Sequence, residues 1–228
     1  MNILNMKIVK TKSFELAVLK YGNETADKLI LCLPGRLDTK DYDHMVNHMK
    51  FFAQKGYLAI SFDPPGTWES PGNIDLYTTT NYKKAIDELI EHFGNKPTVL
   101  LGHSRGGSMA MLSGSANSNI THIIAIMSHT DPSVLSEKDR KAGVYVSKRD
   151  TPKHYAESEI TFRLPLSYFE DGLTYDIMEK LKDSPKPKLL MYGPEDKLVP
   201  SDDVKSIYEK ISAPKALHEL KCGHDYRK

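Results

Sequence analysis

A chain of 228 residues with 31 Lys and Arg against 30 Asp and Glu has a formal charge of +1, which excludes the broad basic field that selects nucleic acid or an anionic membrane. Hydrophobic residues make up 39% and charged residues 27%, and the apolar ones fall in short clusters, as in a soluble globular chain. No run approaches the roughly 18 apolar residues of a membrane span. The opening MNILNMKIVKTKSF lacks an apolar core followed by a small-residue cleavage site, so a cytoplasmic location is expected. The length suits a single domain over residues 1–228, and Cys32 and Cys222 are expected as free thiols.

Lys7–Thr11 and Glu15–Tyr21 read as two strands pairing antiparallel at one sheet edge. Near-continuous aliphatic or β-branched runs follow at Lys28–Leu33, Tyr57–Phe62, Thr98–Leu101, Ile120–Met127, Lys188–Tyr192 and Ala216–Leu220, the pattern of strands buried on both faces. Between them Tyr42–Lys55, Thr78–Phe93, Arg105–Ser115 and Asp203–Ile211 have helical spacing and the length of a crossover. The order predicts an α/β fold with a mostly parallel, doubly wound sheet of about eight strands.

Thr130–Pro187 breaks this rhythm. It is rich in charge and carries Tyr145, Tyr155, Phe162, Tyr168, Phe169 and Tyr175 without a clear strand. Ser136–Ala142 and Leu173–Leu181 have helical spacing, with Ser136 and Thr174 as helix-start residues. A small helical cap over the carboxyl edge of the sheet is expected from 130–187, because inserts of this length are commonly lids or binding elements.

The strongest chemical signal is Gly102-His103-Ser104-Arg105-Gly106-Gly107, a G-x-S-x-G between an apolar strand and a helix, which is the context the motif requires. So sharp a turn forces Ser104 into a strained backbone conformation, and side chains at 102 and 106 would meet neighbouring backbone. The hydroxyl is then presented at a helix N-terminus, where unpaired N–H groups favour developing negative charge. A serine needs a base and an orienting carboxylate. Asp196, in Gly193-Pro194-Glu195-Asp196-Lys197-Leu198-Val199-Pro200, and His224, in Cys222-Gly223-His224, each follow a strand.

These motifs resemble the α/β-hydrolase superfamily, from about Lys28 to His224. Serine, acid and histidine occur there in that chain order at strand ends, and the acid loop often reads G-x-x-D-x-x-V-P. Asp63-Pro64-Pro65-Gly66-Thr67-Trp68-Glu69-Ser70 is similar to the family's D-x-x-G-x-G-x-S segment, with Trp68 in place of the second glycine. The resemblance implies Ser104 as nucleophile, His224 as base and Asp196 as acid. By position it also implies an oxyanion hole from the backbone N–H groups of Arg36 and Arg105, with Pro34 where the family usually has histidine. The family usually continues into a closing helix, whereas Lys228 stands four residues past His224, so a reduced or truncated end is expected.

Asp131 also follows a strand and is an alternative acid, while Glu195 reads as a solvated neighbour of Asp196. His103 is expected to pack or hydrogen-bond beside the elbow. His44 and His48, spaced i, i+4 with Asp41 and Asp43 nearby, fit either a metal pair or, as preferred here, a polar helix face. Cys32 and Cys222 are expected to pack near the site. Arg36, Arg105 and Lys197 offer a cationic rim for a substrate carboxylate. The leading expectation is a carboxylesterase of small to medium acyl esters, with a small-molecule ester as partner and no metal or organic cofactor. The alternatives are an amide- or peptide-cleaving enzyme whose Glu157, Glu159, Glu170 and Asp171 grip a substrate amine, or a ligand-binding homologue without turnover.

Overall fold

The computed structural model describes residues 6–226. Met1–Asn5 and the chain end at Arg227 and Lys228 lie outside the described residues. In chain order the elements begin β1 (Lys7–Lys10), β2 (Glu15–Tyr21), β3 (Leu29–Leu33), α1 (Asp43–Gln54), β4 (Leu58–Phe62), α2 (Thr79–His92), β5 (Thr98–His103), α3 (Arg105–Ala116) and β6 (Ile120–Ile126). They continue α4 (Glu137–Ala142), β7 (Val144–Asp150), β8 (Glu159–Pro165), α5 (Leu166–Leu173), α6 (Ile177–Leu181), β9 (Lys188–Tyr192), α7 (Ser201–Lys210) and β10 (Lys215–Glu219).

Eight strands form one sheet in the order β1-β2-β4-β3-β5-β6-β9-β10. β1, β2 and β4 pair antiparallel, and every pairing from β4 through β3 to β10 is parallel. The parallel strands must be covered on both faces, and their side chains divide with the two-residue period of a strand. Leu29, Leu31 and Leu33 of β3 join a core with Tyr82, Ile86 and Leu89 of α2 and Met109 and Leu112 of α3. Ile30 and Cys32 point the other way, to Met45 and Met49 of α1.

Helix starts follow local chemistry. The Thr78 hydroxyl accepts from the Asn81 amide at 3.1 Å, and the Ser136 hydroxyl accepts from that of Asp139 at 3.1 Å. Each satisfies an amide that the first turn leaves unpaired.

Residues 130–187 differ from the expected purely helical cap. β7 and β8 form an antiparallel hairpin with register from Val144 opposite Pro165 to Asp150 opposite Glu159. The alternation in Glu159-Ile160-Thr161-Phe162-Arg163-Leu164 is the two-residue period of a strand with one covered face, and it was there to be read. Thr174 is also corrected: it caps the end of α5 instead of starting a helix, and Asp176, whose carboxylate accepts from the Glu179 amide at 2.8 Å, starts α6. Hence Leu173–Leu181 is not one helix.

The Asp63–Ser70 loop shows how Trp68 stands in for glycine: its φ is +48°, the left-handed region glycine enters freely. Its indole N–H donates to the Leu37 carbonyl at 3.0 Å, and its ring packs against Tyr42, Tyr155 and Phe162. Beneath it Lys40 is fully buried, with Nζ 3.0 Å from Asp63, 2.7 Å from Asp41 and 2.5 Å from Glu69. Those three carboxylates are close enough to hold a cation, and the lysine ammonium occupies that place.

Candidate active site

Ser104 lies between β5 and α3 with φ +52° and ψ −123°, a backbone state a non-glycine residue holds only when its surroundings impose it. The glycines explain how. A Cβ on Gly102 would collide with the main chain of Gly106, and one on Gly106 with the Leu33 carbonyl, so the elbow closes against β3 only with hydrogen at both positions. Gly107 has the same constraint against Ser128, which the sequence reading did not single out. The Ser104 amide donates to the Ile126 carbonyl at 2.9 Å.

The loops after β9 and β10 bring Asp196 and His224 to this serine. His224 Nε2 is 3.0 Å from Ser104 Oγ, and Nδ1 is 2.8 Å from Asp196 Oδ2. An ionised carboxylate only accepts, so Nδ1 carries the proton and Nε2 is free to accept from the serine hydroxyl. The other oxygen, Asp196 Oδ1, accepts from the amides of Leu198 at 2.8 Å and Val199 at 2.9 Å, which pins a side chain with no exposed surface. Burial, joined by the nearby His103, lowers the His224 pKa below 6.5 against the opposing pull of Asp196.

Asp131 does not meet His224 in this way; it is exposed and stands on the cavity wall. Glu195 is exposed, as expected. His103 Nε2 donates to the His224 carbonyl at 3.0 Å, while Nδ1 faces Asp38 Oδ2 at 3.8 Å, beyond hydrogen-bond reach. Asp38 is held below the usual carboxylate range: burial opposes this, but His103, Arg149 and His44 outweigh it.

The preferred reading of His44 and His48 as a polar helix face is corrected, because that face is covered. His44 is 4% exposed and packs on His103 and Tyr226. His48 Nε2 lies 3.0 Å from the Tyr226 hydroxyl, and burial with the nearby His103 pushes its pKa down to about 4. Both face the underside of the site because Tyr226, beyond β10, folds back over α1. Asp38, His44 and His103 converge closely enough to hold a metal ion. Cys32 is buried in β3 and Cys222 half-buried, both free.

A cavity of about 320 Å³ opens over Ser104. Arg36, Arg105 and Arg149 line it, as do His129, Tyr168, Phe169, Tyr175 and Leu198. Lys197 does not, so the expected cationic rim loses that member and gains Arg149. Glu157, Glu159, Glu170 and Asp171 are also absent from the wall; Glu159 pairs with Lys148 and Asp171 accepts from Thr80. The backbone N–H groups of Arg36 and Arg105 enter none of the hydrogen bonds of loops and turns among the described residues. Arg105 opens α3, where an amide has no intrahelical acceptor. Arg149 was hidden from sequence reasoning because the β7–β8 register decides which of the hairpin's side chains face inward.

The family model of the alpha/beta hydrolase fold matches residues 28–149, more than half of the chain. Mouse palmitoyl-protein thioesterase ABHD10, mitochondrial, is 23% identical over 204 residues, covering 87% of this chain and 68% of that protein. The solved structure of mouse ABHD10 has a TM-score of 0.75 at 19% identity and covers 100% of this chain and 92% of its own. Est1E from Butyrivibrio proteoclasticus, with ferulic acid bound, has a TM-score of 0.78 at 15% identity, covering 99% and 92%. With the fold, the family match and the elbow in agreement, this chain belongs to the alpha/beta hydrolase superfamily.

Proposed function

We propose that this protein is a serine hydrolase that cleaves esters of small to medium carboxylic acids through an acyl-serine intermediate. The hydrogen-bonded line from Asp196 through His224 to Ser104 is the observation that carries the reading. His224 Nε2 takes the hydroxyl proton as Ser104 Oγ attacks the ester carbonyl, and Asp196 stabilises the imidazolium. The oxyanion accepts from the amides of Arg36 and Arg105, each worth about 3–4 kcal/mol in the transition state. The tetrahedral adduct collapses as the C–O bond breaks and Nε2 returns its proton to the leaving alcohol. A water then attacks the acyl-serine by the same route and releases the acid. Burial keeps His224 neutral near pH 7, the form a general base requires.

Similarity to ABHD10 favours a second reading of the same site, with a thioester as substrate and a thiol as leaving group. The cavity of about 320 Å³ is at the small end of ligand pockets, which supports short and medium acyl groups under either reading. No helix among the described residues is long and apolar enough to cross a membrane.

The deciding experiment is intact-mass analysis after treatment with a fluorophosphonate, for the unmodified chain and Ser104→Ala. It runs beside matched oxygen esters and thioesters of rising acyl length. One adduct on Ser104, with turnover lost in the variant, is expected. A chain that neither labels nor turns over any ester overturns the reading.

A further inference from the structure

Arg105 presents two different groups to the cavity. Its amide belongs to the proposed oxyanion hole, and its side chain carries a cation with no carboxylate within ion-pair distance among the described residues. The guanidinium lies 4.5 Å from the Tyr168 ring centre and 5.3 Å from that of Tyr77. Among the described residues it donates to Thr79 Oγ1 at 3.1 Å and has the Tyr77 hydroxyl as a further hydrogen-bonding neighbour, which leaves most of a guanidinium's five N–H donors unused. Nε is sealed from solvent without an acceptor, and so is the hydroxyl of Tyr168. Tyrosine faces attract a cation but do not pair its charge.

Of the other two arginines on the wall, Arg149 has a carboxylate within ion-pair distance and Arg36 lies over a tyrosine ring. Arg149 donates to the Arg36 carbonyl at 2.5 Å and lies 4.0 Å from Asp38, while Arg36 sits 5.2 Å from the Tyr145 ring. Asp131 and Asp225 are exposed. Arg105 is therefore a cation on the cavity wall beside the reacting serine with donors to spare, and a guanidinium meets a carboxylate with two parallel N–H donors.

The sheet decides which part of the substrate carries it. A leaving group must lie near His224, whose ring neighbour His103 packs on His44 of α1 and on Tyr226, and Tyr226 lies on the α1 face with Met45 and Met49. Tyr77 and Tyr168 belong to the opposite face, with α2 and α3. Resting on the hydrolase reading above, we propose that Arg105 binds a carboxylate on the acyl group. The preferred substrates are then half-esters or half-thioesters of short dicarboxylic acids, their free carboxylate within one side-chain length of the scissile carbonyl.

The test compares kcat/KM for the 4-nitrophenyl half-ester of adipic acid with that for 4-nitrophenyl hexanoate, in the unmodified chain and in Arg105→Gln. A third substrate, the hexanoate ester of 4-hydroxybenzoate, puts the charge on the leaving group. The adipate half-ester is expected to be favoured on the order of 10- to 100-fold, as a charged hydrogen bond allows. The ratio should fall to about one in the variant, with no gain for the benzoate ester. Because Arg105 also contributes its amide, the readout is the ratio within each protein. Should the variant not fold, adipate must slow fluorophosphonate labelling of Ser104 in the unmodified chain while adipamide does not. Equal kcat/KM for adipate and hexanoate, or a preference that survives Arg105→Gln, overturns the Arg105 assignment and leaves the hydrolase reading standing. A chain inert to fluorophosphonate and to every ester removes both.

Discussion

His103 Nε2 donates to the main-chain carbonyl of His224 at 3.0 Å, so the residue before the elbow serine tethers the loop that carries the proposed base. The two rings are 4.8 Å apart, and His103 joins burial in lowering the His224 pKa. His103→Gln keeps an N–H donor and removes the imidazole that helps to lower the His224 pKa. The sign follows: activity that needs neutral His224 is lost as pH falls through its folded pKa, which lies below 6.5. The acid limb of the kcat/KM profile is expected to move to higher pH in His103→Gln, and a merely structural role would leave it in place. His103→Ala also loses the tether, for about a tenfold lower kcat.

The choice of acid separates cleanly by substitution. Asp196→Asn puts a donor where Nδ1–H needs an acceptor, and is expected to lower kcat by roughly 10³ to 10⁴. Asp131→Asn, exposed on the cavity wall, is expected to change kcat by no more than a few-fold. Steady-state ester hydrolysis by the two variants decides between the residues.

Gly106→Ala tests the elbow as packing. The new methyl meets the Leu33 carbonyl, a backbone atom that can move only by displacing β3 within the sheet. A loss of about 3 kcal/mol or more is expected, read as a lower midpoint in urea, and Ser104 labelling should slow with it.

Lys40→Met should be the most destabilising change outside the elbow. It leaves Asp63, which has no exposed surface, as an uncompensated buried charge, at about 3–5 kcal/mol. Asp63 retains the Thr39 hydroxyl and the Lys40 amide as donors, so denaturation should remain cooperative at a lower midpoint.

His48 sets an acid limit on stability. Its folded pKa of about 4 lies below the ordinary 6.5, so the unfolded chain binds the proton first. Its contribution is complete above 6.5 and is lost as pH falls toward about 4, at roughly 1.4 kcal/mol per pH unit at most. Denaturant midpoints measured across that window should fall less steeply in His48→Gln than in the unmodified chain.

The strands and crossovers were readable because their signals are local. A run such as Leu29–Leu33 is apolar at every position, and a strand buried on both faces is what accepts it. The α1 boundaries shift by one residue, from Tyr42–Lys55 to Asp43–Gln54, because the flanking residues became the caps. The insert was less legible. The alternation of Glu159–Leu164 marks a strand, but Val144–Asp150 has no such clean local signal, and pairing with Glu159–Pro165 is what makes it one.

By itself the sequence determined the α/β layering, the elbow at Ser104 and the chain order serine, aspartate, histidine, because glycine sterics and side-chain periodicity act over a few residues. Tertiary structure decided which groups meet across distant segments. It set Asp196 against His224 with Asp131 left on the wall, turned His44 and His48 toward Tyr226, and left the Arg105 guanidinium among tyrosines with no carboxylate in ion-pair reach among the described residues. Burial and pairing of charge depend on neighbours tens of residues away, and those neighbours are fixed only when the sheet and the β7–β8 hairpin have closed around the cavity.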